Sequence, residues 1–345
     1  GHYNRRMERV RWGIVGTGRM ASTIATEIVA LRDQGIDLVA VASRDAARAR
    51  EFATKFGARQ SLGDPAAMAT LPLDAVYIAT PHVLHAEQML ASLRAGQAVL
   101  CEKPFTLNAA QAEVVVDAAA DGSVFAMEAM WTRFLPAVVA LRELLAAGTI
   151  GPVRMITGGG AFIPEGSQPG YLLDPALGGG VLLDAGVYLV SLASMILGTP
   201  AAVLAQGLIG ETGVDEQVSM LMSYPGGAQA QLYVSMRARR SPDLEILGEA
   251  GRIRIAAPVF RPARLTLWGR DGQESVRDYP INGTGYGYQI HAVSAAVRRG
   301  ERECPTMPLS ESLSIMRTLD EVRRQIGLQY PSERTPTENV HAKPR

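Results

Sequence analysis

The sequence predicts an α/β protein with a doubly wound parallel sheet, followed by an α+β domain built on a large, open, mostly antiparallel sheet. From Val10 onward, short β-branched runs alternate with amphipathic segments of about 10–15 residues, which is typical of right-handed βαβ crossovers. Between Ala202 and Tyr279, turn signals recur at shorter spacings, as in antiparallel hairpins. A chain of 345 residues has the length of two domains.

The first domain is assigned to residues 7–127 and the second to residues 128–331. In the first domain we predict strands at Val10–Gly16, Leu38–Ser43, Ala75–Ile78, Ala98–Cys101 and Ser123–Ala126, and helices at Met20–Ala30, Ala46–Phe56, Leu84–Ala95 and Asn108–Ala120. In the second domain we predict helices at Phe134–Ala147, Leu182–Leu197, Tyr288–Arg299 and Leu309–Ile326. The polar residues 1–6 are interpreted as a tag or a disordered start, and residues 332–345 as a disordered tail.

The composition argues against several classes of function. The 34 basic residues balance 34 acidic ones, so the chain lacks an electrostatic footprint for nucleic acid or an anionic membrane. Cys101 and Cys304 lie far apart, without a CxxC or histidine-rich partner, so we expect a cytoplasmic location and no metal site. No segment approaches the roughly 20 apolar residues of a membrane span.

A glycine fingerprint follows the first predicted strand, in the run "GIVGTGRMA". Gly16 permits a tight turn, Gly18 lets the backbone approach a pyrophosphate, and Ala21 lets the helix pack closely on the strand. The amides at the start of the helix then face the anion. The first domain is therefore predicted to be a Rossmann dinucleotide-binding domain, with the cofactor held at Gly16, Thr17, Gly18, Arg19 and Met20.

The end of the second strand, "LVAVASRD", indicates which dinucleotide binds. An NAD site usually has an acidic residue there to hold the ribose 2′-hydroxyl. This chain has Ser43 and Arg44, which suit a 2′-phosphate, and Asp45 is expected to cap the following helix. NADP is favoured, and NAD stays open as the alternative.

With these motifs the chain resembles the glucose–fructose oxidoreductase/inositol dehydrogenase family. The resemblance covers nearly the whole chain past Val10 and runs through "YIATPHVLHAE", "LCEKPF", "EAMWTRFLPA", "GGGVLLDAGVYLV", "GYQIHAVSAAVRRG" and "IMRTLDEVRRQIGLQYPSE". It is strongest to the subgroup of dimeric dihydrodiol dehydrogenases and NADP-linked D-xylose dehydrogenases.

The resemblance implies a nicotinamide site at the junction of the two domains. It places Lys103 of "CEKPF" beside the nicotinamide and substrate, and Trp131 and Arg133 along the pocket, as a ring wall and near the cofactor. The remaining cofactor contacts that it implies are Thr80, Pro81, His85 and Glu102, together with His82, which stands where the family often has asparagine. A packed tryptophan with a snorkelling arginine remains open for the pair at 131 and 133.

Hydride transfer at a carbon that carries oxygen requires a proton donor or acceptor and a cation for the developing alkoxide. Lys103 is the candidate cation. Asp184 and Tyr188 are four residues apart and would share one face of a helix. The family places an acidic residue and a tyrosine or histidine here, which makes Tyr188 the candidate proton donor, with its anion favoured by Lys103. Asp184 is expected to orient Lys103 or to bind a substrate hydroxyl. A helix cap for Asp184 and a core role for Tyr188 remain open, and His291 is assigned either to the cleft or to the core.

The predicted function is an NADP(H)-dependent oxidoreductase that acts on a secondary alcohol or carbonyl of a sugar or cyclic diol. The open sheet is expected to be covered in a homodimer or higher homo-oligomer, because an apolar face of that size is unusual on a monomer. Two alternatives stay open. One is a sugar oxidoreductase or glycoside-cleaving enzyme that retains its NAD(P), and the other is a non-catalytic dinucleotide-sensing regulator.

Overall fold

A computed structural model describes residues 9–165, 169–239 and 243–334 of the chain. The expected tag or disordered start at residues 1–6 lies outside these ranges. The first sheet and its helices are, in chain order, β1 (Val10–Val15), α1 (Arg19–Ala30), β2 (Ile36–Ala42), α2 (Ala46–Phe56), β3 (Gln60–Leu62), β4 (Ala75–Ile78), α3 (His85–Arg94), β5 (Ala98–Cys101), α4 (Ala109–Gly122) and β6 (Ala126–Glu128).

The six strands form a parallel sheet in the order β3-β2-β1-β4-β5-β6. This confirms the predicted doubly wound sheet and adds β3, whose three residues are too few to show a period. Strand order reverses between β1 and β4, and ligands of such sheets bind in the crevice at this point, outside the carboxyl ends of the strands. β1 is buried on both faces, with Trp12 and Ile14 fully inaccessible, because helices pack on each side of it.

The second half contains, in order, α5 (Pro136–Ala146), β7 (Val153–Ala161), α6 (Pro169–Leu172), a π-helical turn (Leu182–Gly186), α7 (Val187–Leu197), β8 (Ala202–Ile209), β9 (Asp215–Ser223), β10 (Gln229–Ser235), β11 (Leu244–Gly248), β12 (Gly251–Ile255), β13 (Arg264–Trp268), β14 (Glu274–Asp278), α8 (Gly287–Arg299) and α9 (Leu309–Ile326). Its strands form one sheet in the order β14-β13-β12-β11-β7-β10-β9-β8. Among the described strand pairs of this second sheet, only β7 and β10 are parallel. The prediction of a mostly antiparallel sheet is therefore confirmed.

β7 was not predicted, because its glycines hide the strand pattern. Gly159 lies so close to β10 that a Cβ atom would come within 2.4 Å of the carbonyl oxygen of Tyr233. One face of the sheet is core, with Val218, Met220 and Met222 of β9 buried at alternate positions. The residues between them are more accessible, as expected for a sheet that is covered on one side.

The last two helices join the halves. α8 packs on α1 and β1, and α9 packs on both α4 and β8. The indole of Trp12 in β1 donates to Ser294 Oγ of α8 at 3.1 Å. The second half therefore contributes to the core of the first, and the domain boundary between residues 127 and 128 stays a prediction.

The prediction of a disordered tail from residue 332 places the start of the tail too early. Pro331–Glu333 is a 3₁₀ turn, and the carboxylate of Glu333 is 2.8 Å from the guanidinium of Arg323 and from the amide of Asn108. These contacts order residues 332–334, because they tie the turn to α9 and to the start of α4. Residues 335–345 lie outside the described part of the chain.

One helical stretch is long and apolar enough to cross a membrane, which the sequence reading overlooked. It runs over Pro175–Leu197 and its most apolar window has a mean hydropathy of 1.9. Of that window, 72% is buried inside the protein. The apolar residues therefore pack in the core between the second sheet and α9.

A buried carboxyl lies beneath this stretch. Asp215, the first residue of β9, is fully inaccessible, and its Oδ2 accepts the amide of Leu182 at 2.7 Å. Gly180, with φ +108°, passes so close that a Cβ atom would lie 1.9 Å from Asp215 Oδ1. Burial raises the pKa of the Asp215 carboxyl to about 7.

Replacing Asp215 with asparagine should flatten the pH dependence of stability. An unfolded aspartate titrates near ~3.9, so the raised pKa of about 7 means that the folded state favours the neutral carboxyl. This stabilisation is complete below about pH 4 and is lost as the pH rises toward 7, a change of roughly 4 kcal/mol.

Urea unfolding at several pH values between about 4 and 8 measures this change in the free energy of unfolding. Glu128→Gln is the matched control, because burial raises the pKa of Glu128 to about 7 as well. Removing the Glu128 carboxyl leaves the contribution of Asp215 to the pH dependence of stability unchanged. A wild-type pH slope that persists in full in Asp215→Asn would contradict the prediction.

Candidate active site

A cavity of about 640 Å³ opens between the two halves at the carboxyl ends of the parallel strands. Lys103, at the end of β5, and Arg19, at the start of α1, line it from the first half. The second half contributes polar and aromatic side chains, namely Tyr171, Asp184, Tyr188, Phe260 and Tyr286. Such a location is where open α/β sheets bind their ligands.

Lys103 points into this cavity. Its Nζ donates to the main-chain oxygen of Asp184 at 2.6 Å and to Asp184 Oδ1 at 3.1 Å, and it lies 5.1 Å from the ring centre of Tyr188. Only 13% of the lysine side chain is exposed. Burial alone would lower the pKa of Lys103, but the nearby charges, that of Asp184 first, raise it, so the ammonium stays charged.

The π-helical turn explains how Asp184 provides two oxygens. In this turn the amide of Val187 bonds back to the carbonyl of Leu182, five residues earlier, instead of four. The carbonyl of Asp184 accepts the lysine. The helix predicted over Leu182–Leu197 is therefore wrong in its first turn. Burial opposes ionisation of Asp184, yet the charge of Lys103 holds the pKa of this carboxyl below its usual value.

Tyr188 lies one residue into α7 and faces the same cavity. Its hydroxyl oxygen accepts the indole N–H of Trp131 at 3.0 Å. Burial raises the pKa of this phenol, and Lys103, which acts in the opposite direction, does not outweigh burial. Lys103 favours the phenolate, as expected, but burial outweighs this effect, so the phenol is neutral.

Trp131 and Arg133 do not line the cavity, contrary to the prediction. Trp131 is 2% exposed and stacks on Tyr286 at 4.0 Å between ring centres, so it stands behind the cavity wall. Arg133 is 1% exposed and donates to Ser191 Oγ at 3.0 Å and to Glu311 at 2.5 Å. Its guanidinium is held in the core between α7 and α9, and its contact with a cofactor stays a prediction.

Two buried histidines brace the turns around Lys103. His82 Nδ1 lies 2.8 Å from the oxygen of Gly178. The two ring nitrogens of His85 lie 2.9 Å from the oxygens of Pro104 and Thr80, which ties these turns together. Burial lowers the pKa of both histidines, that of His82 to about 3. His85 is fully inaccessible and supports the turns beside the cavity, and its contact with a cofactor stays a prediction.

Glu102 lies at the cavity and Thr80 in the turn before α3, and their contact with a nicotinamide ribose stays a prediction. Glu102 lines the cavity, and its carboxylate accepts the hydroxyl of the buried Tyr77 and, at 3.1 Å, the amide of Lys103. Burial raises the pKa of Glu102. Thr80 Oγ1 donates to Gln88 at 2.6 Å, and Pro81 follows at the start of the turn before α3. His291 is exposed on α8, in neither of the two places considered for it.

The glycine turn has the shape of a phosphate cradle. Gly16 has φ +112°, and a Cβ atom there would lie 2.5 Å from the oxygen of Ala79. A Cβ atom on Gly18 would meet nothing within 4 Å, so the backbone faces open space ahead of α1. Thr17 lies between them, and Arg19 and Met20 open the helix and line the cavity. These residues fit a dinucleotide pyrophosphate.

At the end of β2, no carboxylate faces the glycine turn at residues 16–18. Ser43 Oγ accepts the amide of Asp45 at 3.3 Å, and Arg44 is exposed. Asp45 caps α2, as predicted, and accepts the amides of Ala47 and Arg48 at 2.9 and 3.1 Å.

Sequence reasoning missed three aromatic residues of the cavity. Tyr171, Phe260 and Tyr286 come from α6 and two irregular segments, where no periodicity marks a face. The only local signal is their glycine-rich or proline-rich surroundings. Across the described ranges, no group of three or more His, Cys, Asp or Glu side chains could hold a metal ion.

Comparisons with known proteins agree with this geometry. Residues 10–129 match a model described as "Oxidoreductase family, NAD-binding Rossmann fold", and residues 138–254 match the GFO/IDH/MocA C-terminal domain. The chain is 36% identical to trans-1,2-dihydrobenzene-1,2-diol dehydrogenase from Bos taurus, over 94% of this chain and 99% of that protein. The enzyme of the same name from Mus musculus is 38% identical, with the same coverage of each chain.

Solved structures show the same architecture. A 3-ketoreductase from Actinomadura kijaniata in complex with NADP and TDP-benzene matches with a TM-score of 0.83 and 28% identity. The match covers 92% of this chain and 98% of that one.

Proposed function

Because this chain belongs to the GFO/IDH/MocA family of oxidoreductases, we propose that it transfers a hydride between NADP(H) and a secondary alcohol or carbonyl of a cyclic diol or sugar. The observation that carries the proposal is the ammonium of Lys103, clamped at the mouth of the parallel sheet by two oxygens of Asp184. Its relatives with the highest identities given above act on a dihydrodiol, according to their names.

The side chains divide the acid–base work of such a reaction. A bound nicotinamide supplies or accepts the hydride. An ammonium has three N–H donors, and two of those on Lys103 are directed to Asp184. The third is available to a substrate oxygen, whose negative charge it stabilises as that charge develops. The neutral phenol of Tyr188 gives that oxygen its proton, and Trp131 fixes the phenol oxygen by donating to it.

The walls of the cavity suit a flat or cyclic substrate. Phe260 lies 5.6 Å from the ring of Tyr188, and Tyr286 is stacked against Trp131 on the other side. Aromatic faces of this kind favour an apolar ring, while Lys103, Asp184 and Tyr188 address its oxygens. A cyclic diol satisfies both demands, and a sugar satisfies the polar one.

NADP is the proposed cofactor. Arg44 is exposed at the end of β2, where an NAD-specific site would carry a carboxylate. A guanidinium holds a ribose 2′-phosphate through charge-assisted hydrogen bonds, and a carboxylate would repel it.

A cytoplasmic location is proposed from the two free cysteines.

A homodimer is the proposed assembly, formed through the uncovered face of the second sheet. Leu204 of β8 is 65% exposed and lies directly opposite Leu221 of β9. Tyr233 and Gln231 of β10 continue the same face. A sheet face with this mixture of leucine, tyrosine and glutamine is better covered by a second copy than left in water.

Lys103→Ala and Tyr188→Phe should each lower kcat by about 10²–10⁴. The first change removes the cation and the second removes the proton donor, whereas NADP affinity, measured by fluorescence titration, should change little. The assay follows the absorbance of reduced nicotinamide with a panel of cyclic diols and sugars. Lys55→Ala, at an exposed lysine of α2, is the matched control.

A Lys103→Ala enzyme that oxidises every substrate of the panel at the wild-type rate would exclude this mechanism. A wild-type protein that binds nucleotide but turns over no member of the panel would favour a regulator instead. Nucleotide that copurifies with the protein would favour an enzyme that retains its cofactor.

Arg44→Ala should weaken NADP binding by about 10–100-fold, as expected when a charge-assisted hydrogen bond is lost. Binding of NAD should change by less than about twofold, because NAD has no phosphate at that position. Isothermal titration with both cofactors gives the two constants, and Arg50→Ala in α2 is the control for a general loss of positive charge. Equal losses for NADP and NAD would be inconsistent with a 2′-phosphate site at Arg44.

The double variant Leu204→Glu/Leu221→Glu should convert the dimer to a monomer. Two facing carboxylates on the sheet would repel their counterparts and lose their hydration in the interface. Sedimentation velocity reports the mass in solution. Val114→Glu replaces an equally exposed aliphatic residue on α4 as the control. A monomeric wild type would end the proposal.

A further inference from the structure

We propose that Tyr171, together with the unoccupied oxygen of the Asp184 carboxylate, binds a second substrate hydroxyl on the carbon next to the reacting one. Tyr171 would thereby be a residue that determines specificity for vicinal diols. The inference rests on the proposed function, since it assigns the reacting oxygen to Lys103 and Tyr188.

The position of Tyr171 is the first support. It lies in α6, lines the cavity, and its hydroxyl donates to Asp184 Oδ1 at 3.2 Å. The residue is 42% exposed, so its ring is open to the cavity. Because the O–H is directed to Asp184, the lone pairs of the phenol oxygen are left to accept a hydrogen bond from elsewhere.

The protonation state of Tyr171 agrees with this arrangement. Burial and then the negative charge of Asp184 raise the pKa of the phenol to about 12. The positive charges that face it, on Lys103 and Arg19, act in the opposite direction. The phenol therefore keeps its proton near neutral pH and continues to donate it to Asp184.

The carboxylate of Asp184 can accept further hydrogen bonds. Oδ1 accepts both Lys103 and Tyr171. Oδ2 receives no hydrogen bond from any residue within the ranges that the structure describes. An ionised carboxylate can accept about four. A substrate O–H would bind here through a three-centre hydrogen bond, with its single proton shared between Oδ2 of Asp184 and the phenol oxygen of Tyr171.

The spacing fits neighbouring oxygens on a substrate. Lys103 Nζ touches Asp184 Oδ1 and is also the donor for the reacting oxygen. Oxygens on adjacent carbons are about one hydrogen-bond length apart. When one of them is on the ammonium, the other is within reach of Asp184 and Tyr171. A mono-alcohol leaves this second position empty.

The test compares trans-cyclohexane-1,2-diol with cyclohexanol in the wild type and in Tyr171→Phe, with NADP at saturation. We expect the ratio of kcat/KM for the diol to that for the mono-alcohol to fall about tenfold in the variant, as for the loss of one hydrogen bond to a substrate hydroxyl. Tyr279→Phe, at a tyrosine beyond β14 that does not line the cavity, is the control and should keep the wild-type ratio.

A phenol that only braces Asp184 gives a different result. In that case both substrates lose rate in proportion, the ratio stays as in the wild type, and the proposal is overturned. An unchanged ratio at unchanged rates overturns it too.

A second readout separates this inference from the proposed function. Thermal denaturation of the NADP-bound protein with increasing amounts of each alcohol measures binding without turnover. Stabilisation by the diol over cyclohexanol that is lost in Tyr171→Phe supports the hydroxyl site even if neither alcohol is oxidised. Equal stabilisation by the two alcohols in the wild type would refute it.

Discussion

The contact between Lys103 and Asp184 is the constraint on which the rest of the site depends. It joins the end of a strand in the first sheet to a turn in the second half, with 13% and 21% of the two side chains exposed. A nearly buried ammonium is stable only while its partner stays in place, because separating the pair would leave each charge without compensation in a poor solvent. The two halves must therefore be held at a fixed distance, and the crossing helices α8 and α9 do this.

Other buried polar groups strengthen the same seam. Glu128 at the end of β6 accepts the amide of Phe105 at 3.1 Å and the hydroxyl of Ser312 in α9 at 2.9 Å. Arg323 of α9 binds Glu333, which in turn holds Asn108 at the start of α4. Each group lies where elements of both halves meet, and its hydrogen bonds help to specify one arrangement. Within the described part of the chain, the Nε atom of Arg323 is buried without a hydrogen-bond partner. The precision of the lysine clamp rests on these distant contacts.

Much of the first half was readable from local patterns, as were the helices and the antiparallel character of the second half, whereas other parts of the second half were not. Alternating strands and helices, the turn at Gly16 and the cap at Asp45 are set by residues close in sequence. They were predicted, apart from the short strand β3 and the position of β6, which lies at Ala126–Glu128 and not at Ser123–Ala126. The strand β7 was missed because its glycines are set by the close approach of a neighbouring strand. The π-helical turn was missed because an extra residue in a helix leaves no trace in the hydrophobic periodicity. Trp131 and Arg133 were assigned to the pocket, yet their burial is decided by partners 57 and 178 positions away, Tyr188 and Glu311. Pocket walls drawn from irregular segments escape pattern reading for the same reason.

The protonation states of Lys103 and Tyr188 determine what each side chain contributes to the proposed reaction. Lys103 stays charged because the combined attraction of Asp184, Tyr188, Glu102 and Tyr171 outweighs burial, which is the largest single effect on its pKa. Tyr188 stays neutral because burial exceeds the attraction of Lys103. A neutral phenol beside a permanent cation is ready to give a proton to an oxygen that gains negative charge, which is the step required when a carbonyl is reduced. The oxidation of an alcohol needs the phenol to lose its proton first, and burial opposes that loss. The same two side chains therefore serve both directions, and burial favours the protonated form of Tyr188 from which the reductive step begins.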